Sequence, residues 1–270
     1  MSDRISPTAH YTGHVWARNG LSHHELETTE GRVLFESLRP AMGVSGAIGQ
    51  GTLESYLMAR HLAIDALVER AIEHHGVTQV LEVAAGLSPR GWRFSRRYGE
   101  WITYVEADLP GMVTRKRAAL ERMGSLSEHH RVVEVDVLDD RSFAAAAAAL
   151  DEGEGLAIIT EGLLVYLPAE AVLDIWRRFA ATLSRFASGR YLSDVRLNVD
   201  ETAATRVFGA GLAAFVRGQV YRHFDDEPAA IAALHEAGFA SAEMHLAVDV
   251  VPERRGPGAS QGHIIDASTK

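Results

Sequence analysis

The chain has 270 residues, 47% hydrophobic and 23% charged, with a formal net charge of -9. That length suits one large α/β domain or two small ones. The acidic balance argues against nucleic acid or an anionic membrane as the main partner. The lack of cysteine excludes disulfides, thiolate nucleophiles and Cys–zinc centres.

Residues 1–7 carry no apolar run of the signal-peptide kind, and no stretch approaches the roughly 20 apolar residues that cross a bilayer. The expectation is a cytoplasmic protein. Residues 1–55 are punctuated by glycines yet carry Tyr11, His14, Trp16, Leu21 and Val33-Leu34-Phe35. They read as an N-terminal extension of short helices and loops, a candidate lid, ahead of a main domain over 56–270. Leu57, Ile64, Leu67, Val68, Ala71 and Ile72 recur at helical spacing and predict a helix over 53–75, with Gly76 as its C-terminal glycine.

Short apolar runs then alternate with helical stretches. Strands are predicted at 78–85, 101–106, 131–135, 156–160 and 191–195, with helices near 110–123, 140–151 and 168–187. The order implies βαβ units and a doubly wound, mostly parallel sheet. Helices are expected at about 200–220 and 226–237. Residues 242–251 suit a pair of closing edge strands or one bent strand, and 252–262 a loop.

The first strand ends in Leu81-Glu82-Val83-Ala84-Ala85-Gly86, a small-residue turn that lets a ligand approach the backbone. Glu106 and Asp108 end the second strand, and Asp136 and Glu161 follow the third and fourth. In an open parallel sheet these carboxyl ends line the ligand crevice. A carboxylate there accepts hydrogen bonds from ribose hydroxyls, so the series points to an adenosine-containing cofactor. The G-x-G-x-x-G fingerprint of a nicotinamide dinucleotide is missing, and Pro89-Arg90 stands where a diphosphate would need backbone amides. S-adenosylmethionine, which has no phosphate, fits better.

The blocks Gln79-Val80-Leu81-Glu82-Val83-Ala84-Ala85-Gly86-Leu87-Ser88-Pro89-Arg90, Tyr104-Val105-Glu106-Ala107-Asp108-Leu109-Pro110 with Lys116-Arg117, and Thr160-Glu161-Gly162-Leu163-Leu164-Val165-Tyr166-Leu167-Pro168 resemble the leucine carboxyl methyltransferase family. Its bacterial branch includes polyketide O-methyltransferases. The resemblance implies a class I methyltransferase fold with seven strands. It further implies that Ala84 and Gly86 lie beside the methionine part of S-adenosylmethionine, and that Glu106 and Asp108 hold the ribose. Asp136 and Val137 would meet adenine. Glu161 would meet the amino group and Arg60 the carboxylate, with Arg18 a weaker second cation. The chain has Ala84-Ala85-Gly86 where the family usually has Gly-Ala-Gly, and Ser88-Pro89-Arg90 where it often has Asp-Thr-Arg.

The expected reaction is methylation of a carboxylate or hydroxyl oxygen on a small-molecule acceptor. A carboxylate needs no base; a phenol, with a pKa of about 10, does. Tyr166 is a candidate to orient the acceptor. His223 and His235 are candidate bases in a covering segment at about 196–237.

Plainer readings compete. The pairs His23-His24, His74-His75 and His129-His130 read as exposed histidines, because adjacent residues do not share a face. Trp16 and Trp92 read as packing residues. Arg90, Arg93, Arg96 and Arg97 read as a solvated helix face in preference to an anion site. At the level of function the alternatives are a protein C-terminal carboxyl methyltransferase, an NAD(P)-dependent oxidoreductase and a non-catalytic cofactor-binding partner. No metal, nucleic acid or membrane partner is expected, and a homodimer is left open.

Overall fold

The computed structural model describes residues 7–47, 52–200, 220–254 and 262–270. The N-terminal helices α1 (Pro7–Arg18) and α2 (Thr29–Ala47) precede the long helix α3 (Leu53–His74). Thr52 and Ser55 start α3 with a reciprocal capping box, each side-chain hydroxyl accepting the other's backbone N–H, at 3.1 and 3.2 Å. The chain then leaves the helix through Gly76 at φ +68°.

The sheet follows. In chain order come β1 (Val77–Val83), α4 (Arg90–Tyr98), β2 (Thr103–Asp108), α5 (Pro110–Arg122), β3 (His130–Glu134), α6 (Asp140–Ala147) and β4 (Gly155–Thr160). They are followed by α7 (Ala169–Leu183), β5 (Ser188–Val195), α8 (Glu227–Ala237), β6 (Ser241–Leu246) and β7 (His263–Ser268). The seven strands lie in the order β3-β2-β1-β4-β5-β7-β6. The first five are parallel, and β7 is antiparallel to both of its neighbours.

Alternation along the central strands feeds two apolar layers. Leu81, Val83 and Ile158 face α6, α7 and α8 through Phe143, Trp176, Phe179 and Leu234. Val80, Ala157 and Ile159 face α3 and α4 through Ile64, Leu67 and Phe94. Burial on both faces explains why β4 is a nearly continuous apolar run, whereas β1 carries Gln79 and Glu82 into the interior with polar partners. A third cluster, with Tyr11, Val15, Trp16, Phe35 and Leu57, joins α1 and α2 to α3. Trp16 is therefore a packing residue, 5% exposed.

Three expectations are corrected here. The second closing strand is β7 at 263–268; a one-turn helix, Ala247–Val250, interrupts the stretch at 242–251. Arg90 is fully buried, not part of a solvated face. His130 is buried at 1% exposure. The helix expected at about 200–220 falls mostly outside the described residues. Among the described residues, no helix is long and apolar enough to cross a membrane.

Candidate active site

Register brings the strand ends together. Val83 pairs with Thr160 and Ala107, and Thr160 pairs with Ser193. The next residues of β1, β2, β4 and β5 therefore leave the sheet side by side. The strand order reverses between β1 and β4, where the crevice of an open sheet lies.

The turn after β1 carries Ala84 at φ +54° and Gly86 at φ +53°. Glycine adopts this region freely, whereas Ala84 is strained there by about 1–2 kcal/mol. The Gly86 N–H donates to Asp108 Oδ2 at 2.7 Å, and the Leu109 N–H donates to Asp108 Oδ1 at 2.7 Å. Burial raises the Asp108 carboxyl above its ordinary pKa, and the two backbone donors only partly offset this. A Cβ built on Gly86 would stand 3.7 Å from Ala9 Cβ, so α1 lies directly over the turn.

Glu106 turns inward. Its carboxylate pairs with Lys116 and, at 2.8 Å, with His130 Nε2. It is 1% exposed, and burial, which would raise its carboxyl, is outweighed by Lys116 and His130, which hold it low. His130 Nδ1 faces the Ser125 carbonyl at 2.9 Å. A side chain on Gly91 would come within 2.5 Å of the Glu106 carboxyl, so α4 closes over this carboxylate only with glycine there. Of the two acids at the end of β2, Asp108 stands at the crevice and Glu106 inside a closed ion pair.

A second charged group sits under the ends of β1, β4 and β5. Arg60 Nε donates to Glu161 Oε1 and Arg60 Nη1 to Asp194 Oδ2, both at 3.1 Å. Arg90 donates to Asp65 at 2.6 Å, to Glu82 at 2.5 Å and to Glu161 at 2.6 Å. His61 Nδ1 lies 2.8 Å from Glu161, and Arg93 also pairs with Asp65. The Tyr104 hydroxyl donates to Glu82 at 2.8 Å. Burial alone would raise the Glu161 carboxyl. His61, Arg60 and Arg90 outweigh it and hold Glu161 well below the usual carboxylate range.

The other expected residues are spread more widely. Asp136 Oδ1 accepts the Leu138 N–H at 3.0 Å just past β3, and the Val137 carbonyl accepts from Arg178. The Tyr166 hydroxyl donates to Thr8 on α1 at 3.2 Å. His223 Nε2 donates to the Leu167 carbonyl at 2.7 Å, and burial lowers its pKa. A neutral ring donating from Nε2 keeps its Nδ1 lone pair. His235 lies at the wrong end: its Nδ1 faces the Phe239 carbonyl, and β6 begins opposite the start of β5 through Ser268. Arg18 is half-exposed, 3.4 Å from Glu54 and over the Phe35 ring.

Sequence reasoning missed Asp194, His61, Asp65 and the burial of Arg90. Asp194 follows the same strand-end rule as Glu161, applied to β5. Glu82, an acid inside an apolar strand, signals a buried cation.

The strand order and the crevice at its reversal define a class I methyltransferase fold. The crystal structure of "a putative methyltransferase from Thermobifida fusca" superposes with a TM-score of 0.69 at 13% identity over 98% of this chain and 96% of that one. The "PigF with SAH" structure superposes at 0.54 with 19% identity, over 79% and 58%. The chain belongs to the leucine carboxyl methyltransferase family, whose model matches residues 21–180. A Mycolicibacterium smegmatis relative named "Putative S-adenosyl-L-methionine-dependent methyltransferase" is 38% identical over 103 residues, 38% of this chain and 34% of that protein. One of the same name from Mycobacterium sp. is 41% identical over 97 residues, 36% of this chain and 31% of that protein. The chain thus aligns with about a third of the length of these curated relatives.

Proposed function

We propose that the protein transfers the methyl group of S-adenosylmethionine to an oxygen of a small-molecule acceptor. The observation that carries this reading is the register of the strand ends, which leaves Gly86, Asp108, Glu161 and Asp194 at one edge of the sheet, with Arg60 reaching them from α3. The donor set suits this cofactor. Its amino-acid end carries both charges, and Arg60 and Glu161 offer the opposite ones. A diphosphate would meet carboxylates instead. The names of the family relatives support the same choice.

When bound, S-adenosylmethionine supplies an electrophilic methyl group on a sulfonium. Arg60 holds the carboxylate, Glu161 the amino group, Asp108 the ribose, and Asp136 with the backbone of Val137 the adenine. Ala84 and Gly86 give the methionine part backbone to lie against. The helices α1 and α2 act as a lid, and Tyr166 orients the acceptor beneath it. His223 takes the proton when the acceptor is a hydroxyl; a carboxylate needs no base. By holding the acceptor and the cofactor site in one fixed orientation, these residues would lower the barrier to transfer.

Calorimetry with S-adenosylmethionine, NAD and NADP tests this. Binding of the first alone is expected. Binding of a nicotinamide dinucleotide without S-adenosylmethionine overturns it.

A further inference from the structure

We infer that Asp194 is a positioning residue for the cofactor's amino-acid end, acting through Arg60 and the Gly162 backbone. The inference rests on the proposed pairing of Arg60 with the cofactor carboxylate.

Asp194 is 2% exposed at the end of β5, and its two oxygens do different work. Oδ1 accepts the Gly162 N–H at 2.6 Å, and Oδ2 accepts from Arg60 Nη1 at 3.1 Å. One carboxylate therefore ties the turn after β4 to a side chain from α3. Glu161 holds the other edge of the same guanidinium at Nε, and the Tyr56 ring lies 5.5 Å beneath it. Gly162 lies beside the third edge: at φ +68°, an added Cβ would stand 3.3 Å from Arg60 Nη2, so only glycine leaves room beside that nitrogen.

Without these contacts a long arginine side chain samples several rotamers, and ordering them on binding weakens affinity. Two anions on one guanidinium also oppose a third. Binding at Arg60 therefore depends on the fixed geometry exceeding that cost; of arginine's five N–H donors, these contacts use two. Replacing Asp194 by Asn removes the charge and turns an N–H toward either Arg60 or Gly162, both donors.

The test measures affinities of S-adenosylhomocysteine and 5′-methylthioadenosine, which lacks the amino-acid end, for wild type, D194N, D194E and R60Q. D194N is expected to bind S-adenosylhomocysteine about ten-fold or more weakly, the scale of a hydrogen bond to a charged group. Its affinity for 5′-methylthioadenosine is expected to stay at the wild-type value, which a general loosening of the fold would not allow. D194E keeps the charge with a longer reach; it is expected to lose S-adenosylhomocysteine affinity to a smaller degree and serves if D194N does not fold. Unchanged or tighter S-adenosylhomocysteine binding by D194N, or equal losses for both ligands, overturns the inference while R60Q remains impaired. If R60Q binds S-adenosylhomocysteine like wild type, the Arg60 assignment itself fails and the inference with it.

Discussion

The backbone N–H of Gly86 donates to Oδ2 of Asp108 across 2.7 Å, so the end of β2 holds the turn after β1 in place. Glu106, two residues earlier, has its carboxylate closed on Lys116 and His130. The two acids thus separate into one at the strand-end crevice and one closed in the interior.

This separation is measurable. Asp108→Asn is expected to weaken S-adenosylmethionine binding by about ten-fold or more, since a charge-assisted contact is lost. Glu106→Gln is expected to lower the melting temperature and leave affinity nearly unchanged. Calorimetry and thermal melts on both variants check the pair.

Lys116→Met leaves the buried Glu106 carboxylate with His130 alone, and should cost about 3–5 kcal/mol. Adding Glu106→Gln to it should restore part of that loss. Denaturant unfolding of the single and double variants provides the comparison.

Ala84 occupies a left-handed conformation at φ +54°. Ala84→Gly relieves that strain and is expected to raise stability by up to about 1 kcal/mol, after the larger backbone entropy glycine loses on folding. Gly91→Ala acts in the other direction, because its methyl group would press on the Glu106 carboxyl. Overpacking of this kind costs about 1–3 kcal/mol. Thermal melts distinguish the two signs.

Two pH effects follow. Glu161 is held well below the ordinary glutamate value of 4.5 when folded, so its contribution is fully present above about pH 4.5 and is lost as pH falls through the folded value. Unfolding free energy should decline below that point, and less steeply in Glu161→Gln. His223, lowered by burial from 6.5, is neutral above that pH. With a hydroxyl acceptor, the rate should stay level down to about pH 6.5 and fall only below it. A pH–rate profile that already falls between pH 8 and 7 removes His223 as the base.

Much of the frame was legible because the central parallel strands β1, β2, β4 and β5 are largely buried on both faces and so appear as short runs rich in apolar residues. β7 was not, because its run is short and its partner β6 is separated from it by a helical turn and a further stretch of chain. Arg90, Arg93 and Arg97 recur at helical spacing, which is also the pattern of a solvated face. Only the mid-strand acid Glu82 and the acid Asp65 on α3 reveal that Arg90 points inward. Glu106 and Asp108 share one face of β2, so periodicity could not tell them apart; the glycine at 91 and the lysine at 116 decide which one is enclosed. His235 follows the helical pattern of α8, and only the antiparallel end of the sheet shows it to be far from the strand ends.

The most direct test is a crystal structure with S-adenosylhomocysteine bound. The account predicts adenosine along Gly86, Asp108 and Asp136, with the amino-acid end between Arg60 and Glu161. A ligand seated elsewhere, with Asp108 and Glu161 untouched, would contradict it.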